Sequence, residues 1–381
     1  MKNSPNNSRR PVDRRAFMRS GLLAGGAAAV GAGLLANGTS ARAEEREAGG
    51  RLLPGDAAIL RFLAAAELIE SDLWIQYAEL GGIGNDQPIE VNPNPNPPLN
   101  PYQVALSNLD GDGPQYISSN TLDEQSHASF LNAYLESRGA EPVDFSEFVT
   151  LQGSTALGLG GKKRLTNLMH LNVDTSWYVR YRSTTNPDTG ATFPQAITLK
   201  NVTAIPVSDA DLNNPNSNHM QAVANVAAFH FGYIEQGGSS LYASMSQKVT
   251  DPEVLKITLG IGGDEIAHFL EWVDFAGNGV QDPVAPFTDP VSGLTFPDFF
   301  NNPPLQPANL VQPNLIFPVP CEFISPRLPH VAIIRPLTDR FAGAVATIAS
   351  FTADGLFVGQ SQRFLRTLEI MAIEADAAFR L

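Results

Sequence analysis

Apolar side chains recur at helical spacing in four long stretches of this 381-residue chain. From Asp56, DAAILRFLAAAELIESDLWIQYAEL sets Ile59, Phe62, Leu63, Ala66, Ile69, Leu73 and Tyr77 on one stripe, which predicts a first helix ending near Gly81. A second is predicted from about Ser119 to Gly139 and a third from about His219 to Met245; a fourth begins near Pro252 and carries LGIGGDEIAHFLEWVDFAG. Between the first two, Gly81 to about Gln115 contains NPNPNPPLNP. Repeated Asn-Pro favours extended backbone, so this reads as a long surface connection. A crossover of about eighty residues joins the second helix to the third. Within it Lys162 to Ser183 has an apolar rhythm suited to an extra helix or a half-buried segment, and NPDTGATFPQAI reads as a turn with short strands. Residues 278–335 are rich in Pro and Asn, lack a period, and carry enough Phe and Leu to wrap the rest in order. Two further helical patterns, Leu337 to Thr352 and about Gly359 to Phe379, close the chain. The pattern as a whole predicts an all-α fold.

Polar residues interrupt the apolar stripes in a repeated way. DEQSH (Asp123 to His127) and DEIAH (Asp264 to His268) each put a Glu and a His on one helical face, and both stripes continue into apolar side chains: Leu131 and Tyr134 in one, Trp272 and Phe275 in the other. A solvated surface would not do that. Upstream of each lies a single Glu followed seven residues later by Tyr, Glu70 with Tyr77 and Glu235 with Tyr242. Glu67 shares the stripe of Glu70, and spacing does not choose between them. Laying LIE on YIE aligns Glu70 with Glu235 and sets Gly232 opposite Glu67, so Glu70 is the expected ligand and Glu67, with Trp74 seven residues on, the alternative. The resulting order, Glu, Glu-x-x-His, Glu, Glu-x-x-His, is that of a carboxylate-bridged pair of metal ions held between four helices. Carboxylate and imidazole donors suit iron or manganese. Asp123 and Asp264 precede the two motifs, where orienting a histidine and simple solvation are equally weighted readings.

These motifs, from ELIESDLWIQY to DEIAHFLEW, resemble the ferritin-like superfamily and are similar to an exported bacterial branch of it. The resemblance implies a ferritin-like four-helix bundle over residues 50–281, with one long crossover and large loop insertions. A Pro/Asn-rich wrapping segment (282–335) and additional C-terminal helices docked on the bundle (336–381) would follow. It also implies two iron or manganese ions, bridged by Glu124 and Glu265, bound at the ends by Glu70 and Glu235 and capped by His127 and His268; the same six would be the catalytic residues. Chemistry within such folds is diverse. The leading expectation is a redox enzyme acting on oxygen or peroxide in oxidative or desiccation stress. A non-catalytic metal-binding, storage or structural protein and a dinuclear manganese catalase are the alternatives.

Composition narrows the partners. Asp13-Arg14-Arg15-Ala16-Phe17-Met18-Arg19, the Gly/Ala/Leu-rich run Gly21 to Leu35 and the small-residue site Ala41-Arg42-Ala43 resemble a twin-arginine export signal, so residues 1–43 are expected to be removed and the product to be periplasmic or secreted. The alternative, a membrane anchor, is disfavoured by the short run and the cleavage site. Removal takes seven basic side chains and one acid, moving the formal charge from −14 to −20. So acidic a chain attracts metal cations and disfavours nucleic acid and anionic lipid. Assembly as monomer or homo-oligomer is left open.

One cysteine, Cys321, excludes an intramolecular disulfide and is expected to be a buried thiol. His170 and His230 are expected to be structural. Gly237 and Gly238, inside the third helix, call for a compensating close approach or a π-bulge. GGDEI mimics a nucleotide-cyclase turn, but the amphipathic AHFLEWVDF after it argues for helix. No phosphate-binding loop, nucleophile elbow or Cys-x-x-Cys pair is present.

Overall fold

Helices dominate because the long apolar stripes are uninterrupted by proline beyond their first turns. The computed structural model describes residues 50–83, 98–180, 195–301, 318, 320, 324–331 and 343–381. Its helices are α1 (Pro54–Gly81), α2 (Pro101–Leu109), α3 (Gly113–Ser137), α4 (Trp177–Arg180), α5 (Asp209–Leu212), α6 (Ser217–Ser246), α7 (Pro252–Asn278), α8 (Ala344–Asp354) and α9 (Gln362–Asp376). Two antiparallel ribbons of two residues per strand complete it, β1 (Leu151–Gln152) with β2 (Lys163–Arg164) and β3 (Phe287–Thr288) with β4 (Thr295–Phe296). The fold is all-α in class. Among the described residues no helix is long and apolar enough to cross a membrane. Residues 1–43 and Cys321 lie outside the described residues.

Four long helices pack as two pairs, α1 with α3 and α6 with α7. Their contacts fix the directions. Ser71 Oγ donates to the carbonyl of Glu124 at 3.1 Å and the Ile83 N–H to the carbonyl of Pro114 at 3.3 Å, so α1 and α3 are antiparallel. Ser246 Oγ meets Thr258 Oγ1 at 2.9 Å while Gly238 lies against Glu265, so α6 and α7 are antiparallel too. Across the pairs Tyr77 meets His230 and Glu67 meets Tyr242, which makes α1 antiparallel to α6 and therefore α3 parallel to α6. A parallel α3 and α6 require the connection between them to travel the full length of the helices, and the long crossover does this. The middle of the interior is aromatic: Trp74 stacks on Trp272 at 5.3 Å and on Phe231 at 4.9 Å, with Phe275 edge-on to Trp272.

Proline and caps set the helix starts. Pro54 opens α1, and Asp56 in its first turn accepts the N–H groups of Thr250 and Asp251, both at 2.9 Å, which pins α1 to the α6–α7 turn. Asp251 in turn caps α7 by accepting from the Glu253 N–H. Helices α8 and α9 pack on each other and dock on α6 and α1 respectively.

Two expectations need correction. The connection after α1 is not structureless throughout, because α2 lies within it. Asn100 Oδ1 accepts from the Tyr102 and Gln103 N–H groups, Gln103 Oε1 accepts from the Asn100 N–H, and Pro101 suits the first turn. Likewise α3 starts at Gly113 rather than Ser119, with Pro114 in its first turn. Lys162 to Arg180 is the half-buried segment and not a long helix: Leu165, Leu168 and Leu171 are buried from irregular backbone of turns and bends, and Trp177 from the short α4. That backbone finds its partners outside itself, with the Asn167 N–H on the Leu356 carbonyl, the Asn172 N–H on the Asp354 carbonyl and a bridge from Leu171 to Val202. Most of NPDTGATFPQAI falls outside the described residues.

Candidate metal centre

The repeated stripes meet in the interior. Glu67 and Glu70 from α1, Glu124 from α3, Glu235 from α6 and Glu265 from α7 are all buried, with His127 and His268 at the edge of the group. The acids fall into two sets whose ligand atoms are mutually within 4.8 Å: Glu67, Glu124, His127 and Glu265, and Glu124, Glu235 and His268. Around His127 Nδ1 stand Glu67 Oε2 at 3.4 Å, Glu124 Oε2 at 3.5 Å and Glu265 Oε1 at 3.7 Å. Around His268 Nδ1 stand Glu124 Oε1 at 3.1 Å and Glu235 Oε2 at 3.3 Å. Glu124 thus turns one oxygen to each imidazole and belongs to both sets.

The satisfaction of these oxygens separates an outer from an inner side. Tyr242 donates its O–H to Glu67 Oε1, and Asn120 Nδ2 donates to Glu124 Oε1 at 2.9 Å and Glu235 Oε1 at 3.2 Å, itself held by Trp272 Nε1 at 2.7 Å. On the inner side Glu67 Oε2, Glu124 Oε2, Glu235 Oε2, both oxygens of Glu265, and Nδ1 of both histidines are buried and lack any hydrogen-bond partner among the described residues. Orphaned polar atoms are costly to bury, and seven converging on one place need a common partner. Two ligand atoms each ~2.1 Å from one cation sit ~3 to 3.5 Å apart. The separations around the two imidazoles match that spacing. The donor set therefore fits metal ions.

The far side of each imidazole is held across the pairs. Asp264 Oδ2 lies 3.2 Å from His127 Nε2, and Asp123 Oδ2 lies 3.4 Å from His268 Nε2. Each aspartate faces Nε2 of the histidine of the other motif, and Asp123 is hydrogen-bonded to His268. With an ion bound at Nδ1, the Nε2 proton of each ring would point to its aspartate. Of the two readings weighed for Asp123 and Asp264, orienting a histidine is the one this geometry carries, although both side chains are also about half exposed.

Electrostatics point the same way. Burial, and then the charge of Glu235, pushes Glu124 up to about 7. Burial followed by the neighbouring acids, Glu124 first, holds Glu70 and Glu265 well above the carboxylate range. Burial alone would lower both histidines; Glu124 and Glu67 override it and raise His127 to about 10, while Glu235, Asp123 and Glu124 raise His268 further. Crowded acids that retain protons and histidines that become cations both mark a site short of positive charge.

Of the six expected ligands, the structure brings together Glu124, His127, Glu235, Glu265 and His268. Glu70 is buried among them and feels the charges of Glu124, Glu67 and Glu235, but it joins neither ligand-spaced set. Glu67 occupies that place. The LIE-on-YIE alignment is displaced by about one helical turn, because Glu67 and Trp74 stand in α1 where Glu235 and Tyr242 stand in α6, and Gly238 lies opposite Glu70. The signal was there in the seven-residue interval from Glu67 to Trp74. Asn120 was missed, though it sits one turn before Glu124 on the same face. Of the paired glycines, Gly238 is explained by close approach and not by a bulge, since α6 is unbroken and a Cβ there would clash with Glu265 Oε2, whereas Gly237 faces open space.

His170 Nδ1 lies 3.1 Å from Asn201 Oδ1. Comparison of the chain with protein-family models, curated proteins and solved structures finds no match.

Proposed function

We propose that the chain is a ferritin-like dimetal protein that binds two iron or manganese ions and turns over oxygen or peroxide. The observation that carries the reading is the convergence of seven orphaned donor atoms from four helices whose directions, with α3 parallel to α6, are those a ferritin-like bundle needs. Glu124, with an oxygen toward each imidazole, and Glu265, with both oxygens unpartnered among the described residues, would bridge; Glu67 and Glu235 would bind one ion each, beside His127 and His268. A pair of adjacent redox-active ions supplies two electrons to a bound oxidant without a free radical leaving the site. The protein's own part is to hold the ligands. Tyr242 and Asn120 fix the outer carboxylate oxygens, Asp123 and Asp264 set the imidazole tautomers, and the near-complete burial of the acids limits access to small molecules. The export signal read in residues 1–43 supports work in the periplasm or outside the cell.

Elemental analysis of protein recovered from its own compartment tests the metal. Oxygen uptake on adding ferrous iron is the expected result. Oxygen release from peroxide by manganese-loaded protein would instead identify a catalase, and two bound ions with neither activity a storage or structural role.

Metal uptake is expected to expel protons and to strengthen as pH rises through about 7, because Glu124 must lose the proton that burial favours and the ions must displace the charge on His127. Calorimetry in buffers of different ionisation enthalpy reads the proton count; pH-independent uptake would contradict it. Stability of the metal-free protein has the matching sign. A carboxyl raised from 4.5 to about 7 contributes stability that is present below its unfolded value and lost as pH rises through about 7. The metal-free protein should therefore melt lower near neutrality than in mild acid, and metal should remove the difference.

Gly238→Ala forces Glu265 away from α6. Since displacing a supporting contact of a ligand typically costs about 10- to 100-fold in affinity, metal titration of this variant should show a loss of that order. Gly237→Ala, with open space at its Cβ, should bind like the parent protein.

A further inference from the structure

A second buried polar chain lies beside the carboxylates. Tyr77 donates its O–H to His230 Nδ1 at 2.7 Å, and His230 Nε2 lies 3.0 Å from Asp354 Oδ2. With Nδ1 accepting, the ring proton sits on Nε2 and is given to Asp354. Tyr77, His230 and Asp354 are almost wholly buried and come from α1, α6 and α8. A clamp between helices would explain the contacts, but not what lies on the other side of the phenol. The Tyr77 ring is 5.7 Å from Trp74, Trp74 is stacked on Trp272 at 5.3 Å, and Trp272 Nε1 reaches Asn120, which holds Glu124 and Glu235. Phe231 packs against all three rings, at 4.6 Å from Tyr77, 4.9 Å from Trp74 and 4.6 Å from Trp272. A continuous file of oxidisable rings thus joins the carboxylate chamber to a phenol with its own base.

That pairing has a chemical meaning. Oxidised tyrosine is a strong acid, and in a dry interior it can form only if its proton has an acceptor at hydrogen-bond distance. Asp354 Oδ1 has no hydrogen-bond partner among the described residues, so the carboxylate retains capacity to hold an imidazolium formed at His230. We propose that Tyr77 is a redox-active site: it yields one electron through Trp74 and Trp272 to a one-electron oxidant in the carboxylate chamber and passes its phenolic proton to His230 Nδ1. The O–H bond of Tyr77 breaks, an N–H bond forms at His230, and the oxidant gains one electron. That oxidant is, by class, a metal ion that peroxide has raised one oxidation state; this element alone rests on the dimetal reading. The file would carry oxidising equivalents that meet no substrate away from the ligands.

The test uses the full mature chain loaded with metal, its content verified by elemental analysis. In one arm peroxide is added; in the other a photogenerated ruthenium(III) complex supplies the oxidising equivalent from outside. Electron paramagnetic resonance of frozen samples should show a tyrosyl signal in both arms that narrows when the protein carries ring-deuterated tyrosine and is lost in Tyr77→Phe. His230→Gln should shorten the lifetime of the signal. Trp74→Phe should cut its yield in the peroxide arm while sparing the ruthenium arm, a split that a merely structural clamp would not produce. A signal that persists in Tyr77→Phe, or its absence from both arms, overturns the assignment. A signal with ruthenium alone in a metal-loaded sample overturns the path to the chamber. A sample that binds no metal refutes the dimetal reading, and the ruthenium arm still decides Tyr77.

Discussion

Replacing Glu124 and Glu265 together by alanine is expected to abolish binding of both metal ions. Glu124 faces both halves of the centre, 3.5 Å from His127 and 3.1 Å from His268, and both oxygens of Glu265, one of them 3.7 Å from His127, are unsatisfied among the described residues. Loss of either bridge leaves one ion poorly held; loss of both leaves each half with one carboxylate and one imidazole. The metal-free double variant should nonetheless fold at least as well as the metal-free parent, because two crowded buried acids are gone. Metal analysis and thermal melting read the two halves of this expectation, and retention of two ions per chain would refute the proposed centre.

The second large effect separates two acids one turn apart. Glu67→Ala should remove a ligand and strip metal from the His127 half, whereas Glu70→Ala should leave both ions bound. Glu67 Oε2 faces His127 Nδ1 at 3.4 Å while its other oxygen is held by Tyr242; Glu70 has a place near the group but not in it. Tyr242→Phe, which frees Glu67 without removing it, should weaken the same half by about 10- to 100-fold, as loss of a supporting hydrogen bond does. If Glu70→Ala loses metal and Glu67→Ala keeps it, the LIE-on-YIE alignment is right after all.

What could be read from the chain follows from which physics is local. Glu124 with His127, and Glu265 with His268, share a face by helical geometry alone, so both motifs were visible. The helix stretches were visible because a stripe of Ile59, Phe62, Leu63 and Ala66 has no other way to be buried. The choice between Glu67 and Glu70 is not local: both point inward from α1, and only the approach of Tyr242 from α6 and of His127 from α3 distinguishes them. The exchange by which Asp123 serves His268 and Asp264 serves His127 is equally invisible, since it depends on how α3 and α7 face each other. For α2 the signal is local, the capping pair Asn100 and Gln103 at the end of the Asn-Pro run. The tract after Lys162 suits either an extra helix or a half-buried segment, and local physics does not choose between them. Its leucines keep a helical rhythm, but the carbonyls that satisfy its N–H groups come from Leu356 and Asp354, far along the chain.

The α6–α7 turn gathers both ends of the described chain. Asp56, near the start of α1, accepts the Thr250 and Asp251 N–H groups; Lys248 pairs with Asp376; Arg380 donates to the carbonyls of Ser246 and Val249. Contacts so distant in sequence form only after most of the loop entropy between them has been lost. During synthesis the turn lacks two of its fastenings until Asp376 and Arg380 have left the ribosome. A chain stopped before Asp354 would lack the partner of His230 as well as the fastening at the turn, and a nascent protein of this kind is a natural client for chaperones that hold it until its C-terminus arrives.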